Sequence, residues 1–499
     1  MRKLLQKYFG FADFHPLQKE IIEDILNNND ALVLMPTGGG KSLCYQLPAI
    51  IKDGLTIVIS PLISLMKDQV DYLQSIGISA VSINSGMDYD DIDKIRTQLT
   101  NKEIKLLYVA PERIMTQKFL NFLHQLEISL IAIDEAHCIS EWGHDFRPEY
   151  SKLNQLKEHF PNAPLIALTS TAIPQVQDDI IRQLNMENSK LYKTSVNRKN
   201  LFYQVMPKKK TYQHILHYVK NHANDSGIIY CQSRKNVEKI ADKLQKDGIR
   251  ALPYHAGLPS EVRIENQRKF IKDNVEIIVA TIAFGMGIDK PNVRFVIHHD
   301  LPKSIEAYYQ ETGRAGRDGL ESECILFFSY GDKIVHDFFI KKIEDDKYRQ
   351  IATRKLRDVI NFSTRNICRR KYLLNYFGEE YNVDNCNKCD ICVPVEEIEL
   401  VSYSKDRVRK PKVKKSANIQ NLEYDEKLFE VLRSLRKKIA DEEKKPPYIV
   451  FSDVSLKDMA ALHPQNLDDF LNISGVGEFK LKKYGKIFTD KIVEYFKGI

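Results

Sequence analysis

Two series of short apolar runs, separated by stretches of helical length, restrict the fold of this 499-residue chain more than any other feature. The first series is ALVLM (31–35), TIVIS (56–60), LLYV (106–109), LIAI (130–133) and LIALT (165–169). The second is GIIYC (227–231), ALPYH (251–255), EIIVAT (276–281), VRFVIH (293–298) and ECILFF (323–328). A strand that is apolar on both faces must be covered on both faces, and helices connecting successive strands of a parallel sheet do this. The expected class is therefore α/β, with two parallel-sheet domains in tandem. The break falls near residues 195–210, where NRKNLFYQVMPKKK interrupts the pattern.

The remaining third of the chain reads differently. Residues 333–385 carry a helical pattern that leads into a knot of cysteines. From 395 to 420 there is neither periodicity nor a buried run, as in a linker. The last 80 or so residues are helical again, broken by KKPPYIVF and SGVGEF. The expected division is 1–196 and 197–330 for the two sheets, 331–395 for a helical cysteine module, 396–420 for a basic linker and 421–499 for a small all-helical domain. The formal net charge of +7 is concentrated in YSKDRVRKPKVKK (403–415), with seven Lys or Arg against one Asp. That stretch suits either a linker trailing along a polyanion or a nuclear localisation signal. No apolar run approaches the roughly 18 residues of a membrane span, and the N-terminus lacks the apolar centre of a signal peptide. A soluble intracellular protein is expected.

MPTGGGKS (35–42) follows an apolar strand and precedes a helix. Thr37, Gly38, Gly39 and Gly40 would close backbone N–H groups around a phosphate, Lys41 would reach the β- and γ-phosphates, and the Ser42 hydroxyl would meet Mg²⁺. The strict pattern has Gly where this chain has Met35, so the match is to the Gly-Lys-Ser core. About 90 residues on, LIAIDEAH ends a second strand in Asp134 and Glu135. One carboxylate there would hold Mg²⁺ and the next would position or deprotonate a water. QETGRAGRDG (310–319) sets Arg314 and Arg317 among glycines, which suits a loop that inserts a guanidinium into a neighbouring phosphate site. Taken singly, an acidic pair at a strand end or arginines in a loop are ordinary surface; together they describe ATP hydrolysis.

Of eight cysteines, Cys368, Cys386, Cys389 and Cys392 are grouped, the last three as C-x₂-C-x₂-C. Four thiolates suit a closed, tetrahedral structural Zn²⁺ site, although an iron–sulfur cluster also accepts four cysteines. The single tryptophan, Trp142, stands in the polar stretch CISEWGHDFRPEY with His144, Phe146 and Arg147. A packing Trp belongs in an apolar run. Here an aromatic face could stack on a base and Arg147 could pair with a phosphate, the alternative being an aromatic cluster wedged between domains.

Collinearly from residue 1 to about 395, these motifs resemble the RecQ family of superfamily-two DNA helicases. FADFHPLQKEII is similar to the family's adenine-reading motif, which implies that Gln18 recognises the base and Phe11 stacks near it; His15 stands where the family usually has Arg. SPLISLMKDQV, APER, LTSTA, YCQSR, YHAGL and ATIAFGMGIDK resemble further helicase motifs, the last bringing Asp289 to the nucleotide. The likeness implies RecA-like domains and zinc in the cysteine site. It makes Arg317 the arginine finger with Arg314 near the γ-phosphate, and His137 and Gln310 coupling residues of the motor. It also makes CISEWGHDFRPEY a DNA-sensing aromatic loop, through Trp142, His144, Phe146 and Arg147.

Long members of the family place a winged helix after the zinc module, but about 25 residues here are too few for a compact domain, which needs about 50. Residues 446–485 resemble a helicase-and-RNase-D C-terminal (HRDC) domain, whose SGVGEFKLKKYG would bring Lys480, Lys482 and Lys483 near phosphates or else form a solvated helix end. The implied function is an ATP- and Mg²⁺-dependent DNA helicase with structural zinc, moving 3′ to 5′ on single-stranded DNA and unwinding tailed or forked duplexes in repair and recombination. It would act as a monomer, beside single-strand-binding and repair factors, in a bacterial cytoplasm (with the nucleoid) or a eukaryotic nucleus. The alternatives are a single-strand translocase or annealing factor that unwinds weakly, an RNA helicase on the same motor, and a non-enzymatic DNA scaffold.

Overall fold

The computed structural model describes residues 1–84, 87–143, 146–285, 290–393 and 424–497. The first sheet holds β1 (Ala31–Leu34), β2 (Leu55–Ile59), β3 (Ala80–Ile83), β4 (Leu106–Val109), β5 (Ile128–Ile133), β6 (Leu165–Thr169) and β7 (Lys190–Lys193). Their order is β3-β4-β2-β5-β6-β1-β7, parallel throughout. The second sheet holds β8 (Leu201–Pro207), β9 (Ser226–Tyr230), β10 (Ala251–Tyr254), β11 (Ile277–Ala280), β12 (Val293–His298) and β13 (Ser322–Phe328), in the order β10-β11-β9-β12-β13-β8, also parallel.

Each sheet separates two apolar clusters. In the first domain Ile57, Ile131 and Leu165 face one cluster, and Val58, Leu130 and Ile166 face the other, so the apolar runs are buried on both sides. Three strands lie outside those runs. They are β3, β7 and β8, all at sheet edges, where half-exposure lets polar residues interrupt the pattern: β7 reads KLYK and has no fully buried residue. The β8 strand corrects one expectation. Half of NRKNLFYQVMPKKK is not a break between sheets but the edge strand of the second, paired with β13 from Leu201 to Pro207.

After β13 come helices Tyr330–Ile340, Asp346–Thr364 and Arg369–Tyr376, the second capped by the Asp345 carboxylate and the third by Cys368. This module shares its interior with the second sheet. Val359, Phe362, Leu374, Phe377 and Cys389 sit in one buried cluster with Ile228, Val296 and Tyr308. Burying a side chain of that size contributes about 1.5–3 kcal/mol, so the module and the sheet stabilise each other.

The C-terminal helices enclose their own core around Leu432, Phe451, Phe470 and Phe488. They rest on both motor domains. Arg433 and Lys437 donate to the carbonyls of Asn224 (3.0 Å) and Lys272 (2.9 Å) on the second, and the Gly475 N–H donates to Gly10 O (3.2 Å) on the first. Gly10 has φ +74°, and a Cβ there would lie 2.6 Å from the backbone of Gly475 and Val476. The SGVGEF turn is therefore packed against protein. Lys480 lies over the Phe451 ring at 5.6 Å, and Lys483 pairs with Glu443 at 2.7 Å, which leaves Lys482 as the exposed lysine of the three with no such partner. No helix among the described residues is long and apolar enough to cross a membrane. The basic stretch 403–415 lies outside the described residues.

Candidate ATPase and nucleic-acid site

The phosphate loop is built by the change from strand to helix. β1 ends at Leu34, and helix Leu43–Ile51 begins after Ser42. Gly38 and Gly40 turn the chain at φ +80° and +78°, where a side chain would be strained; a Cβ on Gly40 would also meet Gln18 Nε2 at 2.4 Å. Lys41 Nζ folds back to donate to Met35 O (3.1 Å) and Pro36 O (3.3 Å). Desolvation pulls its ammonium below the usual lysine range, against the opposing pull of Glu135 and Asp134. Those loop carbonyls occupy two of the ammonium's three donors.

β5 ends at Ile133, and the two carboxylates follow at once. The Asp134 N–H continues the ladder to Ile59 O (2.9 Å), and Tyr150 Oη donates to Asp134 O (3.0 Å). Glu135 sits in the left-handed region at φ +49°, a conformation that costs a non-glycine residue about 1–3 kcal/mol and is typical of sites where geometry matters more than stability. Burial, then the neighbouring charge of Glu135, pushes Asp134 up to about 7. Burial works against the ionisation of Glu135 too, but His137 Nδ1, 3.2 Å from Glu135 Oε2, and Lys41 hold it down at about 2. A hard, oxygen-only pair, Asp134 and Ser42 Oγ, borders the same cleft and fits Mg²⁺.

The second domain closes this cleft. Gln310, Arg314 and Arg317 border the same ≈ 270 Å³ cavity as Lys41, Asp134 and Glu135. The Arg317 backbone comes so near the phosphate loop that a Cβ on Gly38 would lie 3.3 Å from Arg317 O. A path of polar contacts crosses between the domains. His137 Nδ1 meets Thr169 Oγ1 (2.9 Å), Thr169 Oγ1 accepts from Thr171 N–H (3.3 Å), and Gln310 Nε2 donates to Thr171 Oγ1 (3.4 Å). It joins His137 to Gln310 through the LTSTA segment.

Beside the phosphate loop, Gln18 Oε1 accepts from His15 N–H (2.8 Å) and Nε2 donates to Gly40 O (3.1 Å). These two bonds leave one N–H and one acceptor lone pair of that amide. Phe11 is exposed nearby. Asp289 and His144 lie outside the described residues.

The aromatic stretch starts from the same carboxylates. Trp142 is half-buried and packs against the first-domain core, with its backbone N–H donating to Ser140 Oγ (3.2 Å). Phe146 is half-buried as well, and Arg147 Nη1 donates to Pro61 O (2.8 Å) in SPLISL. The loop is also fastened from the third module: Lys355 Nζ donates to Trp142 O (2.8 Å) and Gly143 O (3.2 Å), and Lys347 pairs with Glu141 (2.9 Å). Nothing local in the sequence marks these two lysines, since their partners are more than 200 positions away.

Sequence reasoning also missed Arg198. It lies between β7 and β8, only 8% exposed, with its guanidinium bonded to carbonyls of both domains. Nothing local marks it, since it stands among polar residues, with Asn197, Lys199 and Asn200 beside it.

Cys368, Cys386, Cys389 and Cys392 bring their four sulfurs within 4.8 Å of one another. Cys368 Sγ and Cys389 Sγ are 3.9 Å apart. A tetrahedron with Zn–S arms of about 2.3 Å has edges of about 3.8 Å, close to that separation, so the set fits a four-thiolate zinc site. Backbone N–H groups of Lys371, Cys386 and Lys388 point at three of the sulfurs, at 3.5, 3.4 and 3.4 Å, as suits thiolates.

Four family profiles match in sequence: DEAD/DEAH box helicase over 15–180, helicase conserved C-terminal domain over 208–319, RecQ zinc-binding over 330–393 and HRDC domain over 425–492. The chain is 39% identical to the ATP-dependent DNA helicase RecQ of Haemophilus influenzae, across 99% of this chain and 95% of that one. It is 36% identical to the protein of the same name from Bacillus subtilis, across 99% and 98%. The Haemophilus alignment runs over 591 positions, more than the 499 residues here, so that relative carries segments with no counterpart in this chain. In fold, the chain is similar to the Mycobacterium smegmatis helicase Lhr bound to ssDNA and AMP-PNP, with a TM-score of 0.54 and 19% identity over 71% of this chain and 56% of that one.

Proposed function

Because this chain belongs to the RecQ family and is an ATP-dependent DNA helicase of the RecQ type, using ATP, Mg²⁺ and a structural zinc, we propose the following division of labour within its motor. Gln18 and Phe11 hold adenine. Lys41 leaves the carbonyls of Met35 and Pro36 to grip the β- and γ-phosphates, while Ser42 and Asp134 hold Mg²⁺, which neutralises the charge that builds up on the phosphate oxygens. Asp134, which burial and the neighbouring Glu135 push up, would hold the cation in its ionised form. Glu135, whose ionised form His137 and Lys41 favour, orients the attacking water and takes up its proton. The water oxygen bonds to the γ-phosphorus as the bond to the bridging β–γ oxygen breaks, the water's proton passes to Glu135 and on to solvent, and Arg317, with Arg314 beside it, offsets the charge on the leaving side.

The observation that carries this reading is the convergence of Lys41, Asp134, Glu135, Arg314 and Arg317, from two different sheets, on one cleft. Hydrolysis would loosen that cleft, and the path from His137 to Gln310 would pass the change to a DNA grip formed by Trp142, Phe146 and Arg147. We propose 3′-to-5′ movement on single-stranded DNA and unwinding of tailed or forked duplexes by a monomer that has no winged helix. Single-strand-binding and repair proteins are its proposed partners, in a bacterial nucleoid or a eukaryotic nucleus. The test compares DNA-stimulated ATPase with strand separation on 3′-tailed, 5′-tailed and blunt duplexes, with Lys41→Ala as the inactive control. Unwinding confined to substrates with a 3′ tail supports the reading. Stimulated ATPase without strand separation would instead make the protein a translocase.

A further inference from the structure

We propose that Arg198 is a positioning residue for ATP hydrolysis. It fixes the loop that carries Arg314 and Arg317 at its working distance from the phosphate loop. Arg198 lies in the covalent connection between the two sheets, after β7 and before β8. Its Nη1 donates to Thr37 O at 2.7 Å, inside the phosphate loop, and to Gly313 O at 3.2 Å. Its Nη2 donates to Ala315 O at 2.9 Å and Gly316 O at 2.8 Å. One planar guanidinium thus grips carbonyls immediately before and after Arg314, up to the residue preceding Arg317, and ties them to the loop that would hold the phosphates. Only a forked, permanently charged group can serve four carbonyls in this way; an ammonium has three protons on one atom and no fork.

The position of Arg198 is itself braced from the zinc module. Arg370, two residues beyond Cys368, donates to Arg198 O (2.7 Å) and Leu201 O (2.7 Å) and bonds the Asn197 side chain. Glu379 accepts from the Val196 N–H (2.9 Å) and the Ser195 hydroxyl (2.5 Å). The connection is therefore held in place from one side while Arg198 reaches across the cleft on the other. Buried charge of this kind is costly unless every donor finds an acceptor, and removing one partner leaves carbonyls unpaired as well as the finger loop unsupported. Arg198 touches the phosphate loop only through the Thr37 carbonyl, and neither Gln18 nor Phe11 is among its partners, so nucleotide affinity should change much less than the rate: a misplacement of about 1 Å can cost about 10²-fold.

The inference rests on Arg317 acting at the γ-phosphate, and the experiment separates the two ideas. Steady-state DNA-stimulated ATPase and the Kd of a fluorescent ATP analogue are measured for Arg198→Ala, Arg317→Ala and the double variant, with zinc content and Tm as controls of folding. The expected result is a fall of about 10²-fold in kcat for Arg198→Ala with Kd changed less than about threefold, and a further fall of less than about threefold when Arg198→Ala is added to Arg317→Ala. A double variant that loses the full product of the two single effects would overturn the positioning role, because independent contributions multiply. If Arg317→Ala alone leaves kcat intact, the finger assignment fails instead. Arg198→Lys carries the same comparison should the alanine variant melt below the assay temperature, and it should recover no more than a small part of the rate. Full recovery with lysine would show that charge alone is needed and would overturn the proposal.

Discussion

At the level of single residues, the site depends on side chains whose neighbours set what they can do. Glu135 is the clearest case: its charge, its left-handed backbone and its bond to His137 all serve one geometry. Thr169 matters for the same reason, since its hydroxyl is shared between His137 and the Thr171 N–H on the way to Gln310. Thr169→Val keeps the shape and removes the bridge. We expect about a tenfold fall in DNA-stimulated ATPase, in line with the loss of one buried hydrogen bond of about 1–1.5 kcal/mol, measured against the rate without DNA. Lys480 illustrates the opposite situation, a charge that costs stability. Burial lowers it from 10.5 to about 8. The folded state thus binds fewer protons than the unfolded one between those values, and the penalty is complete below pH 8 and disappears as pH rises to 10.5. Lys480→Met should raise the melting temperature of the C-terminal domain at pH 7 by about 4–8 °C, the equivalent of about 1 kcal/mol in a domain this small. Scanning calorimetry from pH 7 to 10.5 should show that gain shrinking; a gain independent of pH would mean that Lys480 is solvated.

Elements were legible in proportion to how fully they are buried. Strands β1, β2, β4, β6, β9 and β11 are buried along their whole length and announce themselves as apolar runs. The edge strands β3, β7 and β8 do not, because one side or one end of each faces water. The zinc module was legible as cysteines and helices, but not as part of the second domain's core. That union predicts how it fails. Cys389→Ser should lose bound zinc, and with it a share of the folding energy. Since Phe362, Phe377 and Cys389 pack with Tyr308 and Val296, the damage should spread into the second sheet and, through Arg370, to the ATPase. Parallel measurement of metal content, thermal melting and kcat checks this; retained zinc with normal melting would refute it.

Across the whole molecule, two bodies meet the motor: the zinc module fastens the aromatic loop, braces the interdomain connection and merges with the second domain's core, while the C-terminal domain rests on both motor domains. The half-burial of Trp142 and the grip of Lys355 on its carbonyl mean that the proposed DNA grip would be a loop already in contact with the second half of the chain. Trp142→Ala should therefore cut the DNA-stimulated ATPase by a much larger factor than the basal rate; equal losses would make Trp142 a packing residue. By itself, the sequence determined the strand–helix alternation, the phosphate loop, the acidic pair, the arginine loop and the cysteine set, because each is carried by the types and spacing of its own side chains. Only the tertiary structure decided that Arg198 spans the cleft, that Lys355 holds the aromatic loop and that SGVGEF is packed on Gly10. Those contacts join positions more than 100 residues apart. The physical reason is that a backbone carbonyl is the same acceptor in every residue, so no side-chain pattern records which distant arginine or lysine will find it.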